Sequence, residues 1–127
     1  MVYSQTVINP LGVYLKETGK NVVKVEPSDF FEEKTHLPKD TTNTLLSESA
    51  GSNQVLLIHG YEIDSPEDLN LKITANNIDV IGTTELKKTF GEGILIYPNK
   101  SFEVTESHQN RAIPIKIKVF AAKYYLD

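Results

Sequence analysis

Two kinds of side chain alternate through the last part of the chain. The two sets are Ile113, Ile115, Ile117 and Val119, and Pro114, Lys116, Lys118 and Phe120. A period of two places one set on each face of a pleated strand. We therefore predict a half-buried β-strand here, with its branched residues inside and its lysines in water.

From residue 44 onward, short apolar or alternating runs follow one another with turn signals between them. The runs cover residues 44–47, 54–63, 69–74, 78–81, 94–97, 102–104 and 113–126. The turns contain Asn76-Asn77 and Pro98-Asn99, residue types that accept the backbone angles of tight turns. Seven or eight short strands at this spacing predict an all-β fold, an antiparallel β-sandwich or jelly roll with an N-terminal extension. The run at 54–63 has an unbroken apolar centre, so we expect this strand to be covered on both faces or bent at Gly60.

The first block of the chain has no regular period, and Pro38 and small polar residues mark its end. We predict an N-terminal arm over residues 1–43 and a β-sandwich over residues 44–127. Within the arm, Gly19 lies between two apolar runs and supplies the positive φ of a hairpin turn. Ser28 as a capping residue and the acids after it predict one short helix over residues 27–33, the only helix that we expect.

Composition narrows the classes of function. The net charge is −4 and the isoelectric point is near 5.4, which argues against nucleic acid as a partner because phosphate neutralisation needs a basic face. The chain has no cysteine, so disulfides, thiolate metal ligands and cysteine nucleophiles are excluded. No apolar run reaches the ~20 residues of a membrane span, and the first residues lack the pattern of a secretory signal. We expect a protein made in the cytosol, with no membrane as its partner.

Charge is distributed unevenly along the sequence. Four acids without a base occupy one short segment, and four bases lie near the end of the chain: Glu62, Asp64, Glu67 and Asp68, and Arg111, Lys116, Lys118 and Lys123. Patches of opposite sign can steer subunits together, although exposed charge most often only solvates a surface. The acidic segment lacks the ligand order of a calcium loop and Pro66 sets its turn without an ion, so we interpret it as a solvated turn.

No catalytic signature stands out. The three histidines, His36, His59 and His108, share no metal-ligand spacing, so we predict no metal site. We expect His59 to lie inside a buried strand and His108 in a polar loop. The segment Gly91-Glu92-Gly93 begins like a nucleotide-binding loop but precedes a strand, so we interpret it as a turn. We predict a protein without enzymatic activity and without a cofactor.

The layout of residues 44–126, about two-thirds of the chain, resembles a small β-sandwich frequent among tailed-phage virion proteins. The shared features are a Thr-Leu-Leu opening at 44–46, a small-residue turn at 50–52, a long apolar strand, a Pro-containing turn at 98–99 and a closing strand that ends in tyrosine. The resemblance implies a capsid decoration (cement) or head-fibre protein, placed on the capsid surface of a virion. Such proteins are often homotrimers and grip the major capsid protein with an extension outside the sandwich.

The resemblance assigns the grip on the capsid to apolar residues of the arm: Tyr3, Val7, Ile8, Leu11, Val13 and Tyr14. Tyrosines supply contact area and a hydroxyl at low entropic cost, which makes four of them candidates for a subunit interface: Tyr61, Tyr97, Tyr124 and Tyr125. Tyr124 and Tyr125 fit equally well as residues that close the edge of the sandwich. Two other functions stay open. One is a carbohydrate- or host-receptor-binding module of a fibre or adhesin that uses Tyr61, Tyr97 and the acidic segment, and the other is a jelly-roll enzyme with a metal at the histidines.

Overall fold

The computed structural model of the protein describes residues 9–38, 42–107 and 114–127. These residues form one helix and nine strands: α1 (Pro10–Thr18), β1 (Val22–Pro27), β2 (Phe30–Lys34), β3 (Thr42–Ser49), β4 (Gln54–Asp64), β5 (Leu71–Ala75), β6 (Ile78–Thr83), β7 (Lys87–Ile96), β8 (Ser101–Ser107) and β9 (Ile115–Leu126). The all-β prediction is confirmed, with nine strands where seven or eight were expected. None of the described segments contains a helix long and apolar enough to span a membrane.

The strands form two antiparallel sheets that pack face to face, as predicted for a sandwich. In the five-stranded sheet, called sheet A, β4 lies on one side of β9 and pairs with β7, whereas β1 and β2 lie on the other side of β9. In the four-stranded sheet, called sheet B, the order is β3-β8-β5-β6. The alternating strand predicted at the end of the chain is therefore the central strand of sheet A.

The main core lies between the sheets and is built from alternating positions. On β9, Ile115, Ile117 and Val119 are fully buried while Lys116 and Lys118 are exposed, which confirms the predicted pattern. Sheet B contributes its own inward set: Leu45, Leu46, Leu71, Ile73, Phe102 and Val104. A fully buried side chain of this size contributes roughly 1.5–3 kcal/mol by leaving water, so this layer is the main source of stability.

Strand β4 is covered on both faces, as its unbroken apolar run predicted. Leu56 and Ile58 join the main core, while Val55 and Leu57 lie in a second cluster with Leu11 of α1. The pairing register shifts between Ile58 and Gly60, so β4 has an irregularity at the glycine where the alternative prediction placed a bend. A Cβ at Gly60 would collide with the carbonyl oxygen of Lys88, and only glycine lets the two strands approach so closely.

The predicted hairpin around Gly19 is wrong, because its first half is the helix α1. The side chain of Asn9 accepts a hydrogen bond from the backbone N–H of Gly12 at 3.1 Å, and Pro10 occupies the first helical turn. Gly19 has φ 71°, and its N–H donates to the carbonyl of Leu15 at 3.0 Å. A glycine with positive φ ends a helix as readily as it turns a hairpin, so the local sequence did not decide between them.

The predicted helix over residues 27–33 is also wrong. Phe30–Lys34 is the strand β2, and Ser28 and Asp29 interrupt the edge of sheet A between β1 and β2 instead of capping a helix. Both strands form ladders with β9, so residues 22–34 belong to the sandwich and not to an arm outside it. The segment Gly91-Glu92-Gly93 lies inside β7, where the register moves from Thr89 to Ile94, so it is an irregular stretch of a strand and not the predicted turn.

Candidate functional site

The outer face of sheet A, the face turned away from the main core, is divided into two halves. Alternate residues of β9 point outward along this whole face: Leu126, Tyr124, Ala122, Phe120, Lys118 and Lys116. The helix α1 lies over the end near Leu126, which we call the covered half. The end from Phe120 to Lys116 has no helix above it among the described residues, and we call it the open half.

The covered half is an apolar floor beneath α1. Its buried residues come from three neighbouring strands and from the helix: Val55, Leu57, Leu95, Leu126 and Leu11. Tyr14, Leu15, Val22 and Tyr124 pack around this cluster. Gly93 has φ 95°, and a Cβ at this position would lie only 2.8 Å from the Cδ1 atom of Leu57. The helix is only nine residues long, so this packing, rather than helix propensity, stabilises it.

An aromatic corner forms where α1 meets the end of β7, and it consists of Val13, Tyr14 and Tyr97. The rings of Tyr14 and Tyr97 stack with centroids 5.5 Å apart and an interplanar angle of 29°. Val13 is 42% exposed and Tyr97 is 44% exposed, and the corner borders a depression of about 440 Å³. Burial is the main cause that raises the pKa of Tyr14, so its hydroxyl stays neutral. The corner brings together three residues that the sequence analysis selected for two different roles.

The turn between β5 and β6 fixes the position of Tyr97. Asn76 and Asn77 have φ 57° and 67°, which confirms the predicted asparagine turn. The side chain of Asn76 donates to the carbonyl of Leu95 at 2.9 Å and accepts from the N–H of Tyr97 at 2.8 Å. Asn76 therefore links the aromatic corner, at the end of a sheet A strand, to the β5–β6 turn of sheet B.

The open half combines one exposed and one half-buried aromatic ring with charge. Phe31 of β2 is 60% exposed, and Phe120 of β9 lies next along this face with the ammonium of Lys118 at 4.8 Å from its ring centroid. Gly60, opposite Phe120 in the register, leaves β4 without a side chain at this point. Two depressions of about 350 and 300 Å³ share Glu62 and Lys87 in their walls, and Phe31 and Phe120 line one depression each.

The acidic and basic segments of the sequence lie side by side on this surface. Glu62 and Asp64 of β4 are the register partners of Lys118 and Lys116 of β9. On the other side of β9, Lys118 contacts Asp29 at 3.5 Å and Lys116 contacts Glu33 at 3.9 Å, and Lys87 contacts Glu62 at 3.7 Å. The two sequence segments of opposite charge thus form alternating rows on one sheet, and they compensate each other within the subunit.

The other tyrosines proposed for a subunit interface lie in different surroundings. Tyr61 is 1% exposed, its hydroxyl donates to the carbonyl of Glu85 at 2.7 Å, and burial raises its pKa to about 12. Tyr124 packs against the cluster beneath α1, and the hydroxyl of Tyr125 donates to Glu26 at 3.0 Å. Tyr125 joins the edge strand β1 to β9, and this contact corresponds to the alternative role of closing the sandwich edge.

The remaining residues predicted for a site are far apart in the fold or lie outside the residues that the structure describes. Tyr3, Val7, Ile8 and His108 lie outside the described residues. Leu11 is buried on the side of α1 that faces sheet A, so its side chain contacts its own subunit. His59 is exposed at the irregularity of β4, so its predicted burial is wrong, and His36 is exposed as well. Within residues 9–38, 42–107 and 114–127, no three His, Asp or Glu side chains are grouped to hold a metal ion.

Sequence reasoning missed the two phenylalanines of the open half as site residues. Phe31 fell within the wrongly predicted helix, although Phe30 is half-buried and Phe31 exposed, as expected for a strand at the edge of a core. Phe120 did appear on the lysine side of the alternating pattern, and a ring on that side was the available signal. A large apolar side chain on a water-facing position indicates a contact surface when others lie beside it.

The sequence matches no protein-family model, and a search among curated proteins finds no significant similarity. We therefore infer function from these surfaces and from the layout of the sequence.

Proposed function

We propose that this chain is a non-enzymatic structural protein of a virion, a capsid decoration or cement subunit that binds and stabilises the shell of the major capsid protein as a homotrimer. The observation that carries the proposal is the outer face of sheet A, where exposed apolar side chains stand on a rigid sandwich. Val13 and Tyr97 are exposed beside α1, and Phe31 is exposed on the open half. A cement subunit acts through such contact surfaces, and its contacts with several neighbours reinforce one another.

The charged groups of this face support a role in contact. The lysines of β9 are placed beside carboxylates on both sides, as in Lys118 with Asp29, which precedes β2, and with Glu62 of β4. Charges that are paired within a rigid sheet can set the orientation of a docked partner, whereas each exposed pair contributes only ~0–1 kcal/mol to stability. The apolar side chains would supply the binding free energy and the charge rows the specificity.

The grip on the capsid is assigned to the segment before α1, which contains Tyr3, Val7 and Ile8. Asn9 is exposed and holds the first turn of α1 through its side chain, so the chain enters the sandwich at its surface. Pro10 lines the depression of the aromatic corner, which places this entry point beside Val13 and Tyr97. The aromatic corner thus lies beside the point where α1 begins.

Two measurements test the proposal. Mass spectrometry of virions from the phage or prophage that carries the gene should detect the chain in stoichiometric amounts, and its absence from virions would reject the function as a whole. Binding to shells assembled without the chain should then be compared for the full protein and for a protein whose residues 1–8 are replaced by a Gly-Ser segment of equal length. We expect the replacement to abolish shell binding while the melting temperature stays unchanged. Undiminished binding would reject the assigned grip.

The stacked tyrosines favour one alternative, a carbohydrate- or host-receptor-binding module. Tyr97 rests on Tyr14 and exposes ring surface to water, which is the kind of platform on which a sugar ring packs. Tyr61 is buried, so it cannot share this role. Glycan binding that is lost in Tyr97→Ala and retained in Ile78→Ala, a more exposed position on β6, would support this alternative over the capsid.

A further inference from the structure

We propose that copies of this chain associate through the outer face of sheet A, with α1 and the aromatic corner of one copy packed on the open half of the next. The inference deepens the proposed function, because it states which surfaces meet in the homotrimer and thus rests on that function for the number of copies.

The edges of the sheets are unsuited to joining copies by strand addition. Four of the five edge strands in the described part of the chain depart from a regular ladder: β1 shifts register after Val22, β3 after Thr44, β6 around Val80 and β7 between Thr89 and Ile94. The fifth, β2, pairs regularly with β9 but over only five residues. The edge formed by β1 and β2 is also broken at Ser28 and Asp29. Irregular edge strands disfavour pairing with a further strand. A second copy therefore has to meet this molecule through a face.

The outer face of sheet A has the shape of a step. A helix packed on a sheet adds a layer of ~10 Å, so α1 raises the covered half above the open half. The open half contains the two depressions on either side of the Glu62 and Lys87 pair. When the covered half of one copy lies over the open half of another, the helix of the first copy fills the space above the strands of the second. Two copies with flat faces would have no such preferred position.

The side chains of the two halves are complementary. The covered half presents Val13 and Tyr97, and the open half presents Phe31 and Phe120, so that apolar surface meets apolar surface. Lys16 and Glu17 are exposed on α1, and the open half offers carboxylates and lysines in alternating rows. A surface with both signs suits a partner with both signs, and this chain carries such a partner on its own helix. A strongly acidic or basic protein would meet like charges in one row or another.

The contact joins two different halves of one face, so it can be made twice in a two-fold pair or repeated around a ring, and the proposed function selects the ring. Three copies close it under the proposed function. A stable interface takes ~800 Å² from each partner. That area is about a ninth of the 7095 Å² of accessible surface, which one half of a sheet face and its rim can supply.

Light scattering on the full chain over a range of concentrations gives the first test. Phe31→Ser and Val13→Ser, at opposite sides of the same contact, should each weaken association by about tenfold or more. Ile78→Ser, which changes the most exposed large apolar residue (69%) on sheet B, should leave association unchanged. A chain that stays monomeric at every concentration, or an oligomer that responds to Ile78→Ser but not to the other two, would overturn the inference. Unchanged circular dichroism of each variant confirms its fold.

Disulfide trapping gives the second test, and the absence of natural cysteines makes it clean. A Val13→Cys chain mixed with a Phe31→Cys chain should form mixed disulfides on mild oxidation. A Val13→Cys chain mixed with an Ile78→Cys chain should not. Cross-linking of the second mixture as efficiently as the first would contradict the proposed contact. In a chain that carries both Val13→Cys and Phe31→Cys, a trapped dimer instead of a trimer would support the contact and reject the trimer. Loss of shell binding by a correctly associated oligomer would reject the proposed function alone.

Discussion

The covered and open halves of the outer face of sheet A lie on the same three strands, β9, β4 and β7, yet their outward side chains differ in kind. Beneath α1 the strands present Leu126, Leu57 and Leu95, which are buried. Eight residues before Leu126 on β9, Lys118 takes the outward position, beside Glu62 and Lys87. One sheet face is thus apolar where α1 covers it and charged where the described chain leaves it uncovered. The exposed ring of Phe31, with the half-buried ring of Phe120 beside it, is the exception and the reason to expect a partner there.

The largest predicted effect removes the floor of the covered half. Leu57→Ala should lower the free energy of unfolding by about 3 kcal/mol, because it takes a buried side chain from beneath α1 and leaves a cavity. Phe31→Ala on the open half should change it by less than about 0.5 kcal/mol, since that ring is mostly in water. Urea unfolding of both variants makes the comparison. Equal losses would mean that the two halves do not differ as described.

The next prediction concerns the close approach of β4 and β7 at the boundary of the halves. Gly60→Ala should destabilise the protein by about 2 kcal/mol, because the added Cβ meets the backbone of Lys88. Gly91→Ala is the matched control, since no atom lies within 4 Å of a Cβ there. Thermal unfolding should shift markedly only for the first variant. A neutral Gly60→Ala would show that the strands can separate at this point.

Tyr61 lies beneath the open half and should make stability depend on alkaline pH. Burial raises its pKa in the folded state to about 12, against ~10 when unfolded. Its contribution is therefore complete below pH 10 and is lost as the pH rises through about 12. Tyr61→Phe should remove this dependence and cost about 1 kcal/mol at neutral pH through the lost hydrogen bond to Glu85. The free energy of unfolding, measured with a chemical denaturant at pH 8 and pH 11, checks this prediction. If the difference between the two pH values is the same in Tyr61→Phe as in the natural protein, another group causes the pH dependence.

A smaller effect is expected at the start of the covering helix. Asn9→Ala removes the hydrogen bond to the N–H of Gly12 and should cost about 1 kcal/mol. Because the helix covers only its own half, hydrogen exchange should increase at α1 and remain slow in the strands beneath the open half. Asn9→Ser, which can cap a helix as well, is the control. Uniform acceleration over both halves would show that α1 and the sandwich unfold together.

The smallest effect concerns the charge rows of the open half. Lys118→Gln removes an exposed pair with Asp29 and the contact with the ring of Phe120, and should cost about 0.5 kcal/mol. The difference should shrink in 1 M salt, since screening weakens exposed pairs. Stability measured in low and high salt checks this. A large loss that is insensitive to salt would mean that Lys118 supports packing and not charge balance.

Much of the sandwich could be predicted because its signals are local. Ile115, Ile117 and Val119 alternate with exposed residues, and Asn76 with Asn77 allows positive φ, so the strand and the turn follow from a few neighbouring positions. The unbroken run around Leu57 correctly indicated a strand with two covered faces. What the run did not show was the identity of its cover, because α1 lies some forty residues earlier in the chain.

The candidate site was predictable only in part. Val13, Tyr14 and Tyr97 were all selected from the sequence, yet for separate roles, and the fold brings them into one corner. Tyr61 was selected for the same reason as Tyr97 and is buried, because residue type does not reveal which face of a strand meets the core. Phe31 was missed when its segment was taken for a helix.

The β class, the alternation of inner and outer residues and most of the turns could be predicted from the sequence, since each depends on the conformational preferences of adjacent residues. The helix at residues 10–18 over sheet A, the pairing of residues 30–34 with β9, and the position of the β4 acids opposite the lysines of β9 followed only from the fold. Those outcomes depend on hydrogen bonds and packing between segments far apart in the chain, and their free energies outweigh local preference.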